Sequence, residues 1–223
     1  PTSCTSSSCG FSLGGTTTLL NTNSTFDYGS TNITLNNVVL GNGVTLTVGA
    51  GNSGAITIAS ITGTAGGDPS YVVLNSTGAV SVTGAIGTDI GTLTITNSGG
   101  ATFSGAVSVA TVAITSTTVS NAVTFNGDLS LTSGLTVGAG SAAYNVAING
   151  GTNTIAGTTT FANTGTATLG NGGDTIAFTG GVVATAPSSV TVNGTVSAAG
   201  TAVITLGDSN TGVSVTGDST VGG

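Results

Sequence analysis

Six times in this chain an apolar residue is followed by a polar residue, a glycine and a second short run of the same kind. The copies are Val82-Thr-Gly-Ala-Ile86, Phe103-Ser-Gly-Ala-Val107, Phe125-Asn-Gly-Asp-Leu129, Phe178-Thr-Gly-Gly-Val182, Val192-Asn-Gly-Thr-Val196 and Val215-Thr-Gly-Asp-Ser219. Their anchors lie 21, 22, 53, 14 and 23 residues apart, so three steps sit near 22 and the other two mark a degenerate repeat. A unit this short cannot enclose a core alone, and must stack on copies of itself.

Between the anchors the chain alternates. Val44–Val48, Ala55–Ile58, Thr92–Thr96, Val107–Val109 and Val203–Leu206 place an apolar residue at every second position, with Thr or Ser between. That period is a strand with one dry and one wet face. Turn signals separate the strands, among them Asn42-Gly43, Asn126-Gly127, Asn149-Gly-Gly151 and Asn193-Gly194. No window carries a capped helical stripe.

We therefore expect an all-β, right-handed parallel β-helix of about ten coils of about 20 residues, each rising by the inter-strand spacing of about 4.8 Å. Residues 1–25 are expected to form an N-terminal cap or loop segment and 26–223 the solenoid. The anchors Val82, Phe103, Phe125, Phe178, Val192 and Val215 are expected to form one stacked core column, with Phe103 and Phe125 on adjacent coils. The competing architecture is an antiparallel sandwich. Sandwiches mark their solvent faces with Lys and Glu and bury large aromatics, and this chain does neither.

The 223 residues include no lysine, arginine, histidine or glutamate, and the seven aspartates give a net charge of -7. Neutral hydroxyls and amides must then keep the surface wet. Nucleic acid is excluded as a partner, because phosphate binding rests on Lys and Arg. General bases near neutral pH and most metal sites draw on the missing residues or on clustered carboxylates. Asp27, Asp68, Asp89, Asp128, Asp174, Asp208 and Asp218 are scattered. We expect no enzyme and no cofactor, although stacking could bring two aspartates together as in a glycan-cleaving β-helix. No apolar run is long enough for a membrane helix.

Cys4 and Cys9 stand in the serine-rich opening PTSCTSSSCG. No further Cys or His exists to complete a four-ligand metal site. A short disulfide loop is expected rather than free thiols, which places the protein outside the cytosol. Gly170-Asn-Gly-Gly-Asp-Thr-Ile176 partly fits a calcium-binding nonapeptide but has no tandem copy, and reads as a tight turn. Thr-x-Thr triplets occur at Thr45–Thr47, Thr62–Thr64, Thr92–Thr96, Thr115–Thr117 and Thr164–Thr168. An ice-binding face needs such triplets in register, and their uneven spacing speaks against one. Asn23, Asn32, Asn75 and Asn193 open N-x-S/T sequons, which chance supplies readily in a Thr- and Asn-rich chain.

From about Gly91 to Gly223, Thr92–Asn97, Val123–Leu129, Tyr144–Gly150, Thr168–Gly170 and Val203–Asp208 carry a resemblance. The chain resembles the β-strand-repeat regions of very large bacterial exoproteins, the filamentous-haemagglutinin-like adhesins and autotransporter passengers. The Cys4/Cys9 segment lies outside that pattern. The resemblance implies a secreted β-solenoid serving as a surface fibre or adhesive stalk. Its expected partners are copies or continuations of itself, stacked end to end, and surface glycans. An ice- or polysaccharide-binding module is the alternative.

Overall fold

The computed structural model describes residues 11–13, 15–118 and 120–222. Cys4 and Cys9, with the expected disulfide, lie outside the described residues. Among the described residues every strand pairing is parallel, and strands recur on three faces, seen in one coil as A at Ile33–Leu35, B at Asn37–Leu40 and C at Thr45–Val48. The chain winds as a parallel β-solenoid of about nine turns, not an antiparallel sandwich. Equivalent positions recur every 21 to 24 residues on face A and every 19 to 26 over all three faces. Corner residues make each coil slightly longer than the 20 expected, so the turns are fewer.

One strand shows how the sequence makes a coil. In Ile33–Leu40 the side chains of Ile33 and Leu35 point inward, those of Val38 and Leu40 do so again, and Asn36 and Asn37 both lie outward between them. A single extra residue inverts the period-two alternation, so the chain bends from face A to face B without leaving the strand. Ile56–Gly63 and Val107–Ile114 carry the same inversion.

The inward residues stack into columns. On face A one column runs Leu35, Ile58, Val82, Phe103, Phe125, Ile148, Leu169, Val192 and Val215. Phe103 and Phe125 are paired and fully buried, with ring centroids 5.0 Å apart and planes at 11°. That separation matches the strand spacing, so each ring lies over the next as the coils rise.

Two expected members of the column differ. Phe178 belongs to face B, stacked between Ile155 and Ala198, and its ring meets Phe161 edge-on at 6.3 Å. The apolar-x-Gly phrase is a corner signal, and here it ends face B instead of face A. That change of corner is why the steps of 53 and 14 depart from the coil length. Val215 does hold the face A position, paired with Val192, but is 58% exposed because no described coil lies on its other side.

Glycine recurs in the phrase because consecutive corners touch. A Cβ on Gly105 would lie 2.3 Å from the carbonyl carbon of Gly84, and one on Gly127 would lie 2.3 Å from that of Gly105. A column of bare corners lets the backbone of each coil rest on the previous one.

Buried polar residues line the corner between faces C and A. Ser76 Oγ donates to the carbonyl oxygens of Asn52 at 2.8 Å and Gly54 at 3.0 Å, and Asn163 Nδ2 donates to Tyr144 O at 2.9 Å. These side chains serve carbonyls that the turn has withdrawn from the ladder. On the N-terminal side, Phe11–Ser12, Thr17–Leu20 and Ser24–Phe26 already pair in parallel with the coil that follows. The solenoid therefore begins before the boundary expected at residue 26.

Candidate functional site

The outward positions of face A form a hydroxyl rank. Thr34, Thr57, Ser81, Thr102, Thr124, Thr168, Thr191 and Ser214 lie in register, interrupted by Ala147 alone. Face C carries a patchier rank, in which Val73, Ala113 and Val183 alternate with threonines such as Thr47, Thr94, Thr136 and Thr160. The Thr-x-Thr triplets do not build one surface. Thr45–Thr47 and Thr92–Thr94 lie on face C, Thr62 on face B and Thr166–Thr168 on face A.

Most of the aspartates with a hydrogen bond are tied to corner backbone. Asp27 Oδ1 accepts from Gly29 N at 3.2 Å, Asp128 Oδ1 from Thr152 N at 3.0 Å, and Asp208 Oδ1 from Asn210 N at 2.7 Å and Thr211 N at 2.9 Å. In the calcium-like phrase, Asp174 is 6% exposed and its Oδ2 accepts from Asn171 N at 2.6 Å. Its carboxylate closes its own loop, where the strand pairing breaks register between Leu169 and Asp174. Among the described residues no group of three or more His, Cys, Asp or Glu is placed to hold a metal, and no helix is long and apolar enough to cross a membrane. Of the sequon residues, Asn23 and Asn32 turn Oδ1 onto the backbone of the next coil, accepting from Thr45 N at 2.8 Å and Ala55 N at 2.9 Å.

Asp89 stands apart. It follows a face B strand of only two residues, Ile86–Gly87, and both Thr88 and Asp89 take left-handed backbone, with φ of 53° and 57°. Asp89 Oδ2 is buried and has no hydrogen-bond partner. The early turn leaves a recess of about 330 Å³ at the corner between faces B and C, lined by Asp89 together with Pro69, Gly91, Ser108, Ser130 and Thr132. In the sequence Asp89 is one of seven scattered aspartates. Its signal was a strand too short for its neighbours, Ile86-Gly-Thr-Asp-Ile90, which composition cannot show.

Tyr144 is the other unusual ionisable group. It is fully buried, its hydroxyl donates to Gly138 O at 2.5 Å, and burial pushes its pKa up to about 12. A phenol sealed among coils resists becoming a phenolate because the anion would lose its water.

No family model, no curated protein and no solved structure matches this chain. The class of protein is therefore defined by its geometry: a parallel β-solenoid with hydroxyl-rich outer faces and a recess at the corner between faces B and C.

Proposed function

We propose that this chain is a non-catalytic structural and adhesive rod, a length of extracellular or cell-surface fibre. The observation that carries the reading is the stack itself. From Leu35 to Val215 the inward residues of face A follow one another in register through parallel pairings, so each coil is a template for the next. Val213, Val215 and Val221, in register with Val190, Val192 and Val196 and 43%, 58% and 45% exposed, are placed to receive a further coil, from a second copy or from a continuation of the chain.

The flanks support the same role. Faces of Thr and Ser present hydrogen-bonding groups with almost no charge, which suits contact with neutral surfaces. The resemblance to exoprotein repeats and the Cys4/Cys9 pair both favour an extracellular setting.

Negative-stain microscopy and sedimentation over a concentration series test the assembly. Rods that lengthen with concentration, unaffected by salt because contacts along the axis carry little charge, are expected. Val215→Asp should abolish them. A monodisperse monomer at high concentration, or rods indifferent to Val215→Asp, would overturn the reading.

A further inference from the structure

We propose that the recess at Asp89 is a binding site for a neutral polysaccharide. The proposal rests on the adhesive half of the reading above, names the partner, and is independent of end-to-end assembly.

Consecutive left-handed residues other than glycine cost about 1–2 kcal/mol each. Here the fold holds them in place. A Cβ on Gly63 would come within 2.6 Å of the carbonyl oxygens of both Thr88 and Asp89, so the preceding coil presses its bare backbone against the turn. The result is a carboxylate at the wall of a recess, with Oδ2 buried and accepting nothing while the residue as a whole keeps part of its surface open. A buried acceptor without a donor is expensive. The chain has no Lys, Arg or His to answer it.

The open side of the carboxylate and its surroundings define what a ligand must bring. An ionised carboxylate only accepts hydrogen bonds, so its ligand must bring donors. Ser108, Ser130 and Thr132 add hydroxyls that both donate and accept. Beside the recess Tyr71 is 41% exposed. A Cβ on Gly91 would lie 3.2 Å from both the Tyr71 ring and Pro69, so the absent side chain is what lets the ring lie against this corner. A part-exposed tyrosine beside the recess, an acceptor carboxylate and flanking hydroxyls together match a pyranose, which offers apolar C–H surface and a ring of O–H donors.

The lining residues come from four successive coils, from Pro69 to Thr132, so the recess runs along the rod. Its volume of about 330 Å³ sits at the lower bound for small-ligand sites and accommodates a short stretch of a longer chain. The net charge of -7 disfavours uronic or sulfated polymers, which leaves neutral ones.

Affinity electrophoresis of the intact chain through gels carrying dextran, galactomannan or xyloglucan, with polygalacturonate as the anionic comparator, tests this. Retardation by at least one neutral polymer is expected. Asp89→Asn retains the left-handed turn, since Asn adopts it readily, and should weaken retention about tenfold or more. Tyr71→Ala should weaken it about fivefold or more, and Thr191→Ala on face A should leave it unchanged. Sedimentation of each variant should match the parent, which separates loss of binding from loss of assembly. Retention by polygalacturonate alone, retention by none of the neutral polymers, retention that survives both variants, or equal loss in Thr191→Ala would overturn the site.

Discussion

Val192 and Val215 stand in the same column, in the same phrase, one coil apart, and differ completely in burial. Val192 is 0% exposed and Val215 is 58% exposed. Local sequence does not separate them: each is a valine followed by a polar residue and glycine where the chain leaves face A. The separation comes from the neighbour on the far side. Val192 lies between Leu169 and Val215, whereas Val215 has Val192 on one side alone. In a solenoid, burial is a property of the stack, and each coil borrows half of its core from the coil ahead.

The largest effect should come from the middle of the stack. Phe125→Ala removes a ring packed between Phe103 and Ile148, and should cost about 3–5 kcal/mol in denaturant unfolding. A loss below about 1 kcal/mol would mean that the coils collapse into the gap, and that the interior is less like an ordinary core than its burial implies.

Next comes the corner. Gly127→Ala sets a methyl into the Gly105 backbone. Overpacking of this kind should cost about 1–3 kcal/mol. Gly172→Ala supplies the opposite case as regards space, since nothing lies near its Cβ, although its φ of 136° adds its own strain. Hydrogen exchange should show the Gly127→Ala damage centred on the two touching coils.

Tyr144 tests burial through pH. Its folded pKa near 12 lies above the ordinary value of 10.0, so the unfolded chain loses its proton first. The stability this phenol contributes is complete below about pH 10 and falls as pH rises from there toward 12, by on the order of 2 kcal/mol. Unfolding measured from pH 9 to 12 should show that decline, and Tyr144→Phe should flatten it. A slope unchanged in the variant would assign the effect elsewhere.

The smallest effect sharpens the opening contrast. Val192→Ala should cost about 2 kcal/mol, from two lost carbon groups and the cavity they leave. Val215→Ala in dilute monomer should change stability by no more than about 0.5 kcal/mol. If the two agree at low concentration, the end is already covered. If the Val215→Ala penalty grows with concentration, assembly is covering it.

Much of the fold was legible. Alternation in Thr92–Thr96 and Val107–Val109 identified strands, and the steps near 22 identified stacking, because both follow from side-chain direction and chain length. Phe178 was misplaced because the apolar-x-Gly phrase marks any tight corner, and Phe178-Thr-Gly180 turns from face B where Phe125-Asn-Gly127 turns from face A. The Asp89 recess was hidden for a related reason. It arises from a strand two residues long lying between longer ones, a mismatch visible only once the coils are aligned.

By itself the sequence determined that this chain makes thin strands with one dry face and one hydroxyl face, that glycine marks its corners, and that no cation of its own can balance its aspartates. Those are local properties, set by the residue and its immediate neighbours. The tertiary structure alone decided which phrase sits on which face, which hydroxyls fall into one rank, which valine is left uncovered and where a carboxylate meets a recess. Each of these depends on a partner 19 to 26 residues away, and only stacking brings that partner within reach.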